Sequence, residues 1–319
     1  MRGAESVEGS RSLPAQSGDM SGDAPLDFLG IGAQKAGTTW LWSMLRAHPQ
    51  IWMPPRKELH YFDRSPAYPS PNLLATDRLM ERLLSRAPHN REFRRRCWAH
   101  LRYACAQRDW PRARWDLRYY FGHYGDDWYF SLFAEGAGRV RGEITPAYAI
   151  LNREDIARIH HLLPKAKIIL LLRNPIERAW SQIRFEWSRG RFTEIDDFSR
   201  VRDFIDQPFQ TLRSDYLRTL GLWEAHYPQE QIFLGFFDDI SRRPAELLRE
   251  VLSFLDVAPE RSGVRDAELA KKVHTSREAE MPEEVRCYLA AKYLPDLEQL
   301  ALRFGGHAER WRAEAASLV

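Results

Sequence analysis

An α/β fold, with a central and mostly parallel sheet flanked by helices, is predicted by three segments in which a short apolar run leads into a helical one. They are "DFLGIGA" followed by Thr38–Ala47, "KIILLL" followed by "IERAWSQIRFEWSRG", and "QIFLGFF" followed by "DDISRRPAELLREVLSFLDV". The middle run carries no alternation, as expected of a parallel strand buried on both faces. With 319 residues and 44% hydrophobic content the chain can fill a full-sized core. It is read as one domain over 25–319.

The elements follow in order. Residues 1–24 are rich in Ser, Gly and Ala and read as a disordered lead without the apolar centre of a secretory signal. The first strand meets "GIGAQKAGTTW", a glycine loop of phosphate-loop outline, and "HPQ" ends the helix after it. Residues 65–120 read as a helical insertion. Its stretch from Arg91 to Arg118 holds nine arginines, interleaved with Trp98, Trp110 and Trp115. Such a segment presents a solvated basic face, or else covers the site and meets an anionic acceptor, nucleic acid or a membrane surface. In the third unit one helix is expected, with Leu247, Leu248, Val251, Leu252 and Leu255 on its apolar face. The tail from Met281 reads as one or two helices, and "HAERWRAEAASLV" closes the chain.

Composition excludes several classes. A net charge of +3 is too small to argue for nucleic acid, and none is expected as a partner. Three cysteines, Cys97, Cys105 and Cys287, form no CxxC pair, so neither a disulfide framework nor a zinc site is expected. Cys97 and Cys105 fit one face of a helix. The run "AKIILLL" is far shorter than the roughly 20 residues a bilayer span requires. A cytoplasmic location is expected, with the 91–118 stretch as a candidate for peripheral membrane contact. Oligomeric state is left open.

The chemistry begins at the glycine loop. Backbone N–H groups ahead of a helix, backed by its dipole, bind phosphate or sulfate. Gly32 and Gly37 permit the tight path, Ala36 lies between them, and Thr38 and Thr39 add hydroxyl donors. A triphosphate-binding loop would place Lys directly after the second Gly. Here that position is Thr38, and the lysine is three residues earlier, at Lys35. The strand "KIILLL" ends in Arg173 and not in a metal-binding acid. The site therefore suits anions without a metal, and none is expected. Arg173 can fork onto a phosphate, with Ser181 two helical turns from the loop.

Five segments, in order, resemble the sulfotransferases that use 3′-phosphoadenylyl sulfate (PAPS), above all the heparan-sulfate-type branch and its bacterial relatives. They are "GAQKAGTTWLWSML", "KELHYFD" at 57–63, "DDWYFSLF" at 126–133, "GEITPAY" at 142–148 and "LLRNPIERAWSQ". The resemblance covers about Asp27 to Leu255 and implies PAPS as co-substrate. It makes the glycine loop the 5′-phosphosulfate site, and Arg173 and Ser181 the 3′-phosphate site. It makes Glu58 the base, a carboxylate whose pKa partial burial would raise, with His60 orienting it or the acceptor. In the cytosolic enzymes a His is the base, so His60 is the alternative. Lys35 would meet the bridging oxygen as charge develops there. Asp63 and Tyr148 are candidate acceptor contacts. Arg178 and Arg184 are read as surface or secondary contacts. Lys272 and Arg277, in "KKVHTSRE", are candidates to close over the 3′-phosphate.

One departure concerns the acceptor. Glycosaminoglycan enzymes commonly carry a Lys where this chain has Ile144, which argues against a highly sulfated or carboxylated polysaccharide. The expected reaction is sulfuryl transfer to a hydroxyl, less readily an amine, of a glycan, glycolipid, phenol or other small molecule. Two other classes are distinguished by experiment: a magnesium-dependent phosphate-loop kinase or nucleotidase, and a membrane or nucleic-acid binding module using the basic insertion.

Overall fold

A computed structural model describes residues 26–65, 67–69, 76–191, 197–259 and 279–319. Lys272 and Arg277, and the expectation about residues 1–24, lie outside them. The sheet has five strands, all parallel, in the order β2-β3-β1-β4-β5. β1 is Phe28–Gly32, β2 Ile51–Trp52, β3 Val140–Ile144, β4 Lys167–Leu172 and β5 Ile232–Phe236. Ile168 to Leu172 are all buried, and each such side chain removed from water contributes about 1.5–3 kcal/mol.

The helices follow as α1 Thr38–Ala47, α2 Leu79–Leu84, α3 Pro88–Ala106, α4 Trp110–Phe121, α5 Asp126–Ser131, α6 Arg153–Leu162 and α7 Pro175–Ser188. After them come α8 Phe198–Ile205, α9 Pro208–Leu212, α10 Tyr216–Glu224, α11 Phe237–Arg242, α12 Pro244–Phe254, α13 Glu283–Phe304 and α14 Gly306–Ala316. Several starts obey local rules. Asn174 caps α7 by accepting from the Ile176 N–H, and Pro175 occupies the first turn, where its missing donor costs nothing. Asn152 and Asp109 cap α6 and α4 in the same way.

Two local expectations are corrected. The single helix expected after β5 is two, α11 and α12, because Pro244 pushes Arg243 out of helical geometry, to φ −145° and ψ 54°. Cys97 and Cys105 share α3 but not a face: Cys97 is buried and Cys105 exposed. All three cysteines are free.

β1 lies between β3 and β4, so the chain leaves it toward opposite sides of the sheet. Open parallel sheets bind ligands at such a point, outside the carboxyl ends of the strands. The loops that follow β1, β2 and β4 carry Lys35, Glu58 and Arg173 respectively. The insertion, α2 to α4, buries Phe93, Cys97, Trp115, Tyr119 and Tyr120 in the main core. Its opposite face stays exposed.

Candidate active site

The loop between β1 and α1 is anchored from three directions. The Ala36 N–H donates to the Ala33 carbonyl at 3.2 Å. Arg173, from the end of β4, donates through Nη1 to the Lys35 carbonyl at 2.9 Å. Gly37 holds φ 86°, and a Cβ there would overlap Ile240 and crowd Phe237. α1 then starts with no side-chain cap and no acid in its first turn. Its first N–H groups lack intrahelical partners, and the positive end of its dipole is uncompensated. Thr38 is buried and Thr39 partly so.

Four cations gather around this loop. Burial and the charges of Arg173, Arg184 and Lys57 push the Lys35 ammonium down to about 8. Its Nζ lies 4.4 Å from the centre of the Phe185 ring, with no carboxylate at salt-bridge distance among the described residues. Arg173 is also lowered, first by burial, and its guanidinium lies over Phe237. Arg173 has Glu177 at 3.8 Å and Lys57 has Glu58 at 2.6 Å, so the four cations keep a positive excess at this loop, a field that suits an anion. Ser181 is buried on α7 two turns beyond Arg173, and lines neither of the two cavities described below.

The segment after β2 delivers Lys57, Glu58 and His60. Glu58 and His60 have φ of 65° and 56°, and Lys35 has 70°. Left-handed backbone at a non-glycine residue costs about 1 kcal/mol or more and survives where surrounding structure enforces it. The enforcement here comes from β3 and the turn after it. The Glu58 N–H donates to the Ile144 carbonyl at 3.1 Å. The Leu59 N–H donates to Thr145 Oγ1 at 3.0 Å, and the Tyr61 N–H to the Tyr148 hydroxyl at 3.1 Å. Beneath them the buried Glu143 accepts from Tyr129, Thr145 and Tyr148 at 2.5, 2.7 and 2.9 Å.

Tyr148 is therefore corrected. It is fully buried and braces the Glu58 segment, so it does not meet an acceptor. Asp63 is corrected likewise: it is fully buried, and its Oδ2 accepts from His60 Nδ1 at 2.7 Å. Arg178 is not a surface residue but fully buried, donating from Nε to Ser214 at 2.7 Å.

The electrostatics of Glu58 also differ from expectation. Its side chain is 38% exposed to the cleft. Burial pushes its carboxyl up. The His60 hydrogen bond and the positive charges of Lys57 and His60 outweigh that, holding it at about 2. His60 feels the opposite balance. Burial lowers it, but Asp63 and Glu58 on its two sides raise it to about 10. A histidine held this high is charged at neutral pH, which favours Glu58 over His60 as the base. Its Nε2 lies 3.6 Å from Glu58 Oε2.

Lys57 is a candidate site residue that motif reading does not single out. Its Nζ donates to Glu58 Oε1 at 2.6 Å and to Thr38 Oγ1 at 3.2 Å, so one ammonium joins the glycine loop to the carboxylate. The only signal in the sequence was its place directly before Glu58.

Two cavities flank these groups. A cleft of about 920 Å³ opens over Lys57, Glu58 and His60. The insertion forms one wall of it with Arg96, His100 and Arg112, and α7 and α9 supply the other, so α3 and α4 do cover the site. A second cavity, about 300 Å³, lies beside Arg173 between α7, α11 and α14, with Phe237 and Trp311 in its lining.

The likenesses to known proteins agree with this geometry. Residues 27–261 match the family model described as "Sulfotransferase family". A membrane-associated sulfotransferase, kil1, of Dictyostelium discoideum is 28% identical over an alignment of 320 residues, which takes in 72% of this chain and 56% of that protein. A mouse heparan sulfate glucosamine 3-O-sulfotransferase, 3B1, is 29% identical over 139 residues, 42% of this chain and 35% of that protein. The chain thus spans little more than half of the first relative and about a third of the second. A crystal structure of a sulfotransferase from Alicyclobacillus acidocaldarius superposes with a TM-score of 0.61 at 21% identity, covering 90% of this chain and 98% of that one; it shares the fold. The match over most of the length places this chain in the sulfotransferase family.

Proposed function

We propose that the protein transfers a sulfuryl group from PAPS to a hydroxyl, less readily an amine, of an acceptor in the larger cleft. The observation that carries this reading is the contact of Lys57 with both Thr38 and Glu58, which puts an anion loop and a carboxylate side by side. In such a transfer the acceptor oxygen attacks sulfur as the bond from sulfur to the 5′-phosphate oxygen breaks. The electron pair passes to that bridging oxygen, and the acceptor proton passes to Glu58. Lys35 stabilises the charge that grows on the leaving phosphate. Lys57 holds the sulfuryl oxygens. Once drawn toward the donor it also loosens its grip on Glu58, which strengthens the base. His60, kept charged by Asp63, holds the carboxylate in place. Arg173 takes the 3′-phosphate, with the second cavity for the adenosine. PAPS serves as co-substrate and no metal is required.

The lowered Lys35 gives this reading a pH test. Burial and the neighbouring cations hold Lys35 down at about 8 in the free protein, and a bound phosphate would raise that pKa. Affinity for 3′,5′-adenosine bisphosphate is therefore full below pH 8 and falls as pH rises above it. Titration calorimetry from pH 6.5 to 9.5 should show that fall, with net proton uptake on binding near pH 8.5. In Lys35→Arg, which stays charged, the fall should flatten. Affinity that is constant with pH in the unaltered protein would contradict the role of Lys35.

The insertion supports a second activity, docking to anionic membrane. On α3, Arg91, Arg95, Trp98 and Arg102 recur at helical spacing on the exposed face, and α4 adds Trp110 and Arg114. Trp98 is 56%, Tyr103 65% and Trp110 61% exposed. Tryptophans among arginines suit a headgroup layer. The protein is expected to sediment with phosphatidylserine vesicles and not with phosphatidylcholine vesicles, and Trp98→Ser with Trp110→Ser should lower the bound fraction severalfold. Equal sedimentation with both lipids would count against it.

A further inference from the structure

In the lining of the acceptor cleft, α7 and α9 build a second polar site that the transfer chemistry does not use. Arg213, directly after α9, is half-buried and lines the cleft. The other cleft arginines have companions. Arg56 and Arg112 share Asp116 at 2.9 and 3.0 Å. Arg96 pairs with Glu92 at 2.7 Å, and Arg191 faces Glu186 at 3.5 Å. The exposed Arg189 lies over the Phe185 ring. Among the described residues Arg213 meets no carboxylate within salt-bridge distance. Glu186, whose charge it feels, is already engaged by Gln182 at 2.8 Å as well as by Arg191. Burial, with the like charges of Arg178 and Arg191, brings the Arg213 guanidinium down to about 10.

Beside Arg213 are buried polar groups without partners. Gln210 and Gln182 line the cleft, are buried, and leave Gln210 Oε1 and Gln182 Oε1 with no donor. Behind them the fully buried Arg178 leaves Nη1 unpaired. A half-buried guanidinium without an acid and buried amide oxygens without donors each cost free energy. The group open to the cleft is Arg213, whose guanidinium suits an anion; the two amide oxygens lie beneath the cleft surface.

We propose that this is an acceptor subsite, and that the acceptor is a hydroxylated molecule bearing a carboxylate, phosphate or sulfate group held by Arg213 while a more distant hydroxyl reaches Glu58. The proposal rests on the larger cleft being the acceptor cleft. Ile144 had argued against an anionic acceptor because a family lysine is missing there. Ile144 lies in the core, against Gly30 of β1, and the positive charge is supplied instead from α9. Arg213 and Glu58 come from separate elements that line one cleft, so the charged group and the reacting hydroxyl are read as parts of one substrate.

The test uses protein saturated with 3′,5′-adenosine bisphosphate, whose binding is measured first. A failure at that step counts against the donor assignment and leaves the α9 site to be probed in the free protein by the same titrations. Arginine Nε–Hε signals are then followed by NMR while inorganic phosphate, glucuronate or glucose is added, the Arg213 signal being assigned by its loss in Arg213→Lys. The Arg213 signal should shift saturably with phosphate and with glucuronate and stay still with glucose. Arg213→Gln should weaken glucuronate binding about tenfold, the usual order for a charge-assisted hydrogen-bonded pair. Arg213→Lys should keep part of the affinity, and the exposed Arg191→Gln most of it. An unmoved Arg213 signal with both anions, or an Arg213→Gln protein that still folds and binds glucuronate as tightly as before, would overturn the proposal.

Discussion

Glu58→Gln should lower kcat for sulfuryl transfer by about 10²–10⁴-fold, the usual contribution of a positioned general base, with little change in affinity for the donor nucleotide. The amide keeps the size of the side chain and removes its ability to take a proton. The pH profile adds a sharper feature. Because the carboxyl is held near 2 in the free protein, no acid limb from Glu58 is expected between pH 4 and 7. His60, near 10, stays charged across the same interval. His60→Gln should also slow the reaction, but by less, since it removes an orienting cation and leaves the base. The two changes together should cost less than the product of the single effects, because they act on one proton transfer. Full activity in Glu58→Gln, with loss in His60→Ala, would move the base to His60.

Lys35→Met should lower kcat by about 10²–10³-fold, the magnitude found when one donor to a developing oxyanion is removed. The effect should appear in kcat more than in KM for the donor, since Arg173, the α1 N-terminus and Lys57 still hold the nucleotide. Methionine keeps an unbranched side chain of similar length, replaces the ammonium that lies over Phe185, and adopts the left-handed backbone at residue 35 no less easily than lysine. Loss of activity is therefore not a folding effect, and an unchanged melting temperature checks that. A KM that rises with kcat unchanged would make Lys35 a binding group only.

The parts of this structure that sequence made legible are those whose signal is local. "KIILLL" is a buried strand because nothing polar interrupts it, and Asn174-Pro175 announces the start of α7. β3, "VRGEI", mixes charge into a buried strand, and β2 is two residues long; both were missed for want of a pattern. The glycine loop was legible because its backbone path demands Gly37 where a side chain would strike Ile240. Glu58, His60 and Lys35 follow from motif spacing, but which way their neighbours face does not. Asp63 and Tyr148 sit in irregular segments, where no period separates a buried brace from an acceptor contact. Sequence also gave the wrong sign for Glu58. Its ionisation depends on Lys57 and His60 lying around it in space, and partial burial alone would have pushed the other way. Arg213 carries no motif at all, and its isolation is visible only when the acids near it are found to be engaged elsewhere.

The central claim, a site built for a 3′-phosphorylated nucleotide that carries sulfate, meets its most direct test in one calorimetric comparison. The protein is titrated with 3′,5′-adenosine bisphosphate and, separately, with ATP plus magnesium. The two proposed anion sites, one at the α1 N-terminus with Lys35 and one at Arg173, predict that the bisphosphate binds at least about tenfold tighter, a difference of about 1.4 kcal/mol. Tighter binding of ATP with magnesium, or no measurable binding of the bisphosphate, would contradict it.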